Sequence, residues 1–217
     1  MNIYFISGLG ADSTAFRRLV LPSEYTIHYI DWITPVANES LYEYCKRLAA
    51  KAKVDTSEPF VVVGLSFGGI VAITMKQFLI PHKTILISSV ASSNEFPPLF
   101  KTAGQLKLHR LLPMYLIDHP NYFANLLFGA KTKNEKKLLA AIMLNGDPGI
   151  LKWSINALLT WNQKRRPADI FQIHGSNDKV LPIKYTYPDI IIKNGSHFMV
   201  WTKASEVSRA IVKAINS

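Results

Sequence analysis

The run Val61-Val62-Val63-Gly64-Leu65-Ser66-Phe67-Gly68-Gly69 constrains this chain more than any other feature. Its β-branched start reads as a buried strand. The residues from Gly69 to Leu79 (Ile70, Val71, Ile73, Met75, Phe78 and Leu79 among them) are apolar nearly all round, as in a helix covered by other elements. Between the two stands the pattern G-x-S-x-G. A serine hydroxyl is a weak nucleophile unless it is held beside a base. A tight strand-to-helix turn lifts it out of the sheet, and glycines at 64 and 68 let neighbouring backbones pass closely. The first N–H groups of the helix then point at charge developing nearby. An incidental serine in a glycine-rich turn is the alternative, and the placement between a buried strand and a buried helix weighs against it.

Five further apolar runs have the length and composition of strands: Ile3–Ile6, Tyr25–Ile30, Thr84–Ile87, Ile170–Ile173 and Ile190–Ile192, with Phe60–Val63 making six. Amphipathic helical patterns at Leu41–Ala52 and through Val207, Ala210, Ile211, Ala214 and Ile215 alternate with them. Alternation of this kind predicts an α/β fold, with a mainly parallel six-stranded sheet and helices on both faces. Between Ser92 and about Gln163 there is no strand signal. Helical clusters fill the interval at Leu106–Leu116, Tyr122–Phe128, Leu138–Leu144 and Ile150–Trp161, with turn signals at Pro97-Pro98, Pro113, Pro120, Gly129 and Asp147-Pro148-Gly149. About 70 helical residues exceed any ordinary crossover. Residues 1–92 and 164–217 are therefore expected to form the core, and residues 93–163 a helical cap over the C-terminal edge of the sheet.

A nucleophilic serine needs a base, and an acid to orient the base. His197 lies in Gly195-Ser196-His197 after the last strand, and Asp178 in His174-Gly175-Ser176-Asn177-Asp178 after the fifth. Loops at these strand ends converge on one crevice. The expected catalytic set is Ser66, Asp178 and His197. Oxyanion stabilisation and substrate binding are assigned to the backbone N–H groups of Phe67, after the nucleophile, and Leu9, in the loop Ser7-Gly8-Leu9-Gly10-Ala11 after the first strand. Asp12 or Ser13 is read as the cap of a helix over Thr14–Val20. His174 sits where it could reach the site and is assigned a local hydrogen-bonding role. His28, His82, His109 and His119 have no metal-ligand spacing, so no metal and no cofactor are expected.

The single cysteine, Cys45, excludes a disulfide framework and falls on the buried stripe of the Leu41–Ala52 helix, as a core thiol would. No apolar run approaches the roughly 20 residues of a membrane span. Met1–Ile6 lacks a basic leader pattern and reads as a strand, so a cytoplasmic protein is expected, with membrane association not anticipated. Of the net charge of +10, +7 lies in residues 93–166, where 11 Lys and Arg face four acids. That is either a solvated lysine surface or a field for an anionic substrate or a membrane surface. No nucleic-acid motif is present.

These motifs together resemble the α/β-hydrolase superfamily across nearly the whole chain, through the loop Ser7–Ala11, the elbow Gly64–Gly68, the segment His174–Pro182 and Gly195–His197. The resemblance implies an esterase-like serine hydrolase with a helical cap. The chain departs from the pattern in three places. The two strands that usually open the fold are missing, Ser7 stands where many relatives carry histidine, and only 19 residues separate Asp178 from His197. A single turn at Ile183–Pro188 is expected where the fold usually has a helix. Ser66 at the elbow, where Asp would serve them, argues against haloalkane dehalogenases and epoxide hydrolases. Ile70 stands where a menaquinone-pathway synthase resembling this pattern has arginine, and the His-Gly-Gly-Pro loop of proline iminopeptidases is absent.

The expected reaction is hydrolysis of carboxylic esters of small or medium acyl groups through an acyl-enzyme. The partner is a small-molecule ester or thioester, with oligomeric state open. The alternatives are a thioesterase or carbon–carbon lyase on the same triad, and a low-turnover receptor for a small ligand. Phe96, Phe100, Leu111, Leu112, Tyr115, Tyr122, Phe123, Phe128 and Trp153 are candidate walls of an apolar acyl pocket, or plain helix packing.

Overall fold

The computed structural model describes residues 1–106 and 119–217. All six expected runs are strands: β1 (Asn2–Ile6), β2 (Thr26–Ile30), β3 (Phe60–Leu65), β4 (Lys83–Ile87), β5 (Ile170–Gly175) and β6 (Ile190–Ile192). They form one all-parallel sheet in the order β2-β1-β3-β4-β5-β6. The chain runs outward from β1 to β2 and then returns to the other side of β1 as β3. The loops after β1 and β3 therefore leave the sheet side by side at the point where strand order reverses, where open α/β sheets form their crevice.

Eight helices are described: α1 (Leu41–Lys51), α2 (Phe67–Met75), α3 (Pro98–Gln105), α4 (Tyr122–Phe128), α5 (Lys133–Asn145), α6 (Pro148–Thr160), α7 (Met199–Thr202) and α8 (Ala204–Ile215). The period-2 alternation of the strands divides the core. Ile3, Phe5, Val61, Val63, Ile85 and Ile87 pack against Val207, Ile211 and Ala214 of α8. Tyr4, Ile6 and Val62 pack on the opposite face against α1 and α2, among them the buried thiol of Cys45. Helices thus cover both faces. A capping box between Ser40 and Glu43 starts α1.

Local boundaries differ from the sequence pattern in three places. Helix α2 ends at Met75 and not at Leu79, because Gln77 and Phe78 donate to carbonyls three residues back and tighten the turn. The side chains of Phe78 and Leu79 still reach the same core. Where Thr14–Val20 suggested a helix, only a 3-10 turn forms, Ser13–Phe16, capped by Asp12, whose carboxylate accepts from Thr14 N–H (2.9 Å). Pro97-Pro98, read as a turn, opens α3. Pro98 occupies the first turn, where a missing N–H is no loss.

Between β4 and β5 the described residues hold helices α3 to α6 and no strand. The clusters at 122–128, 138–144 and 150–161 fall in α4, α5 and α6. The expected cluster Leu106–Leu116 lies, Leu106 apart, outside the described residues, as do Lys107, His109, Arg110 and Asp118. The two ends of the insertion meet, with Ser93 N–H donating to the Gln163 carbonyl (2.6 Å). Helix α3 lies close on α6, since a Cβ at Gly104 would fall 2.3 Å from the Leu159 carbonyl oxygen. Between β5 and β6, Ile183–Tyr185 forms the expected single turn.

Candidate active site

Ser66 stands at the C-terminal end of β3 with φ 51° and ψ −118°, a left-handed conformation that a side-chain-bearing residue adopts only when its surroundings enforce it. They do so from three sides. Ser66 N–H donates to the Ile87 carbonyl (2.9 Å), and its own carbonyl accepts from Gly69 N–H (2.9 Å) and the Ser89 hydroxyl (2.7 Å). The glycines leave the room this needs. A Cβ at Gly64 would fall 2.4 Å from the Gly68 carbonyl oxygen, and one at Gly68 would fall 2.3 Å from that of Ile6.

The loops carrying His197 and Asp178 are bound to each other as well as to the serine. Asn177 N–H donates to the Gly195 carbonyl (2.8 Å), and Ser176 N–H to that of Ile192 (3.0 Å). Asn194 (φ 57°) makes the bend after β6, and its N–H donates to the Ser176 hydroxyl (2.8 Å). The short Asp178–His197 spacing is thus taken up by two loops stitched together. His197 Nδ1 lies 2.8 Å from Asp178 Oδ2, and its Nε2 lies 3.0 Å from Ser66 Oγ. A carboxylate only accepts, so Nδ1 carries the proton and Nε2 is the acceptor for the serine hydroxyl. Asp178 Oδ1 accepts from the N–H groups of Val180 (2.9 Å) and Leu181 (2.8 Å). Burial pushes this carboxyl up, but His197 and the Leu181 N–H outweigh it and hold it below the usual aspartate value. The edge of Phe128 packs on the His197 ring (centroids 5.2 Å, 82°).

His174 has no exposed surface. Its Nε2 donates to the Leu181 carbonyl (2.7 Å) and lies 3.5 Å from Asp178 Oδ2. It therefore has the local role expected of it, closing the turn that carries Asp178. Burial holds it below the ordinary imidazole value, with the nearby Asp178 opposing.

The loop after β1 approaches the serine closely, and a Cβ at Gly8 would lie 3.4 Å from Ser66 Cβ. The turn closes through Ala11 N–H onto the Gly8 carbonyl (3.0 Å). Among the described residues, the Leu9 and Phe67 N–H groups have no protein acceptor. The Ser7 hydroxyl donates to the Ala11 carbonyl (2.5 Å), which also accepts from the Trp32 indole (3.0 Å). Where a histidine was absent, a serine pins the loop from within.

A cavity of about 60 Å³ opens on Ser66 and His197, walled by Leu9, Leu65, Phe128, Leu139, Ile142 and Val200. Of the aromatic cap residues singled out in the sequence, only Phe128 reaches it among those described. Trp153 packs on Tyr44 (4.2 Å) and Phe67, while Phe96 stacks on Phe100 and meets the edge of Trp161. Tyr122 and Phe123 are exposed. Leu111, Leu112 and Tyr115 lie outside the described residues. Leu139 and Ile142, which do line the cavity, are three apart on α5. That spacing marks one helix face but not what the face meets. Among the described residues no cluster of His, Cys, Asp and Glu could hold a metal ion, and no helix is long and apolar enough to cross a membrane.

No protein-family model matches the chain, and no curated protein matches it by sequence. Solved structures resemble it throughout. A hydrolase from Oleispira antarctica superposes with a TM-score of 0.79 at 16% identity, over 100% of this chain and 91% of its own. A thermophilic esterase from Thermogutta terrifontis gives 0.73 at 14%, over 100% and 89%. A bromoperoxidase from Bacillus anthracis gives 0.70 at 13%, over 100% and 92%. The chain has the α/β-hydrolase fold. Fold alone does not carry an activity across such distances.

Proposed function

We propose that the protein hydrolyses carboxylic esters of small or medium acyl groups through an acyl-enzyme, with Ser66 as nucleophile, His197 as general base and acid, and Asp178 orienting the imidazole. The observation that carries this reading is the unbroken line from Ser66 Oγ to His197 (3.0 Å) and from His197 to Asp178 (2.8 Å). In the first half-reaction Ser66 Oγ attacks the ester carbonyl carbon as its proton passes to His197 Nε2. The tetrahedral oxyanion lies against the N–H groups of Leu9 and Phe67. The C–O bond to the alcohol then breaks as His197 returns the proton to the leaving oxygen. In the second, water loses a proton to His197 and attacks the acyl carbon, and Ser66 leaves with that proton. Asp178 stays ionised and favours the imidazolium in both. Proton transfer of this kind contributes about 10²–10⁴-fold.

The test pairs labelling with turnover. A fluorophosphonate should label the wild-type protein at Ser66, and Ser66→Ala should abolish both labelling and hydrolysis of activated short-chain esters. Near-wild-type turnover in that variant, or no labelling of the wild type, would defeat the reading.

A thioester of an anionic carrier is a second reading on the same triad. It is favoured by one observation, an open cleft of about 580 Å³ beside Gly129 and Ser196 that is lined by Lys131, Lys136, Lys179 and Lys203. A carrier thioester outpacing the matched oxygen ester, with a rate that falls as salt screens the lysines, would establish it.

A further inference from the structure

Two cavities meet at one side chain. The smaller one, about 60 Å³, holds Ser66 and His197. The other, about 460 Å³, lies along the adjacent face of α5, with Asp12, Trp32, Leu138, Ile150 and Trp201 among its walls. Among the described residues their linings share Ala11 and Ile142. Ala11 has little side chain to lose, and its carbonyl is held by Ser7 and Trp32. Ile142, half-buried on α5, is the partition that can be shortened.

We propose that Ile142 sets the acyl-chain limit of the site, and that the substrates are esters of short, straight-chain acids. This rests on the serine-hydrolase reading above and extends it to substrate class. The acyl group remains on Ser66 while the alcohol leaves and water enters, so the acyl chain takes the small, largely apolar cavity against the serine. The cavity has room for about four to six water-sized atoms, which accommodates acetyl to roughly pentanoyl groups. Beyond that length the chain meets Ile142. The end of α5 is fixed against the oxyanion loop, since a Cβ at Gly146 would lie 3.3 Å from Gly10. Shortening the Ile142 side chain opens the smaller cavity toward the larger one, because Ile142 lines both.

The experiment measures kcat/KM for nitrophenyl esters from acetate to decanoate in the wild type, Ile142→Val and Ile142→Ala. Each methylene excluded by the wild-type wall should lower kcat/KM by about tenfold or more. Ile142→Ala should raise the octanoate-to-butanoate ratio of kcat/KM by at least about tenfold, and Ile142→Val should fall between. Binding of butanoate and octanoate to Ser66→Ala, alone and combined with Ile142→Ala, provides a readout that needs no turnover. Octanoate should bind only where Ile142 is shortened. A flat wild-type chain-length profile, or equal octanoate binding with and without Ile142, would overturn the proposal. Failure of the serine-hydrolase reading appears separately, as no turnover of any ester and no labelling of Ser66, and the binding series still decides the role of Ile142.

Discussion

The hydroxyl of Ser89, in the loop after β4, donates to the backbone carbonyl of Ser66 across 2.7 Å. The strained residue is thereby held from the neighbouring strand end as well as from its own helix. Gly69 makes the approach possible, because a Cβ there would fall 2.3 Å from Ser89 Oγ. Ser89 is a positioning residue.

Ser89→Ala should lower stability by about 1 kcal/mol, the usual net worth of such a bond. Because the variant loosens the elbow without touching substrate, kcat should fall while KM stays close to wild type. Urea denaturation and steady-state kinetics on a short-chain ester measure the two effects.

Gly68→Ala should be far more damaging. Its Cβ would meet backbone oxygens of Ile6 at 2.3 Å and Ser7 at 2.4 Å, which cannot rotate away. A loss of about 1–3 kcal/mol or more is expected in thermal or denaturant unfolding. The loop carrying Leu9 moves with those oxygens, so activity in any folded fraction should fall too.

Asp178→Asn removes the charge but not the shape. The amide can donate to His197 Nδ1 and select the tautomer that no longer accepts from Ser66. A fall in kcat of about 10⁴-fold with little change in KM is expected. Stability should also depend on this group. Its folded value lies below the ordinary one, so its contribution is complete above the ordinary aspartate range and is lost as pH falls through the folded value.

His174→Gln keeps a donor toward the Leu181 carbonyl and removes the imidazole. Wild-type His174 is held neutral by burial while the unfolded chain takes up a proton near pH 6.5, so its contribution is complete above that pH and is lost as pH falls toward the folded value. The stability difference between wild type and variant should therefore shrink on acidification from about pH 8 to pH 5, by at most about 1.4 kcal/mol per pH unit. Denaturant midpoints across that range supply the measurement. A difference independent of pH would mean that His174 titrates alike in both states.

Much of the site was legible in the chain because its demands are local. The apolar runs marked all six strands, and Gly64 and Gly68, two residues to each side of Ser66, marked a tight turn. Parallel topology then sent the loops bearing Leu9, Ser66, Asp178 and His197 to one edge. Pattern alone assigned those elements because strand period, helix period and glycine sterics each act over a few residues. The parts that depend on distant partners were missed or misjudged. Pro98 looked like a turn and opens a helix, and among the described residues Phe96, Phe100 and Trp153 follow the plain-packing alternative that the pattern left open.

Sequence by itself determined the sheet, the elbow and the candidates for the three groups in line. Tertiary structure alone decided that Ser7 pins the loop after β1, that Ser89 holds the Ser66 carbonyl, and that Ile142 lines two cavities at once. The Ser89 contact joins segments far apart in the chain, the cavities are spaces left among several of them, and even the local Ser7 bond to Ala11 depends on how the loop is folded. Cavity volume is a remainder of packing, set by how α4 and α5 settle on the loops beneath them, and no local pattern encodes it.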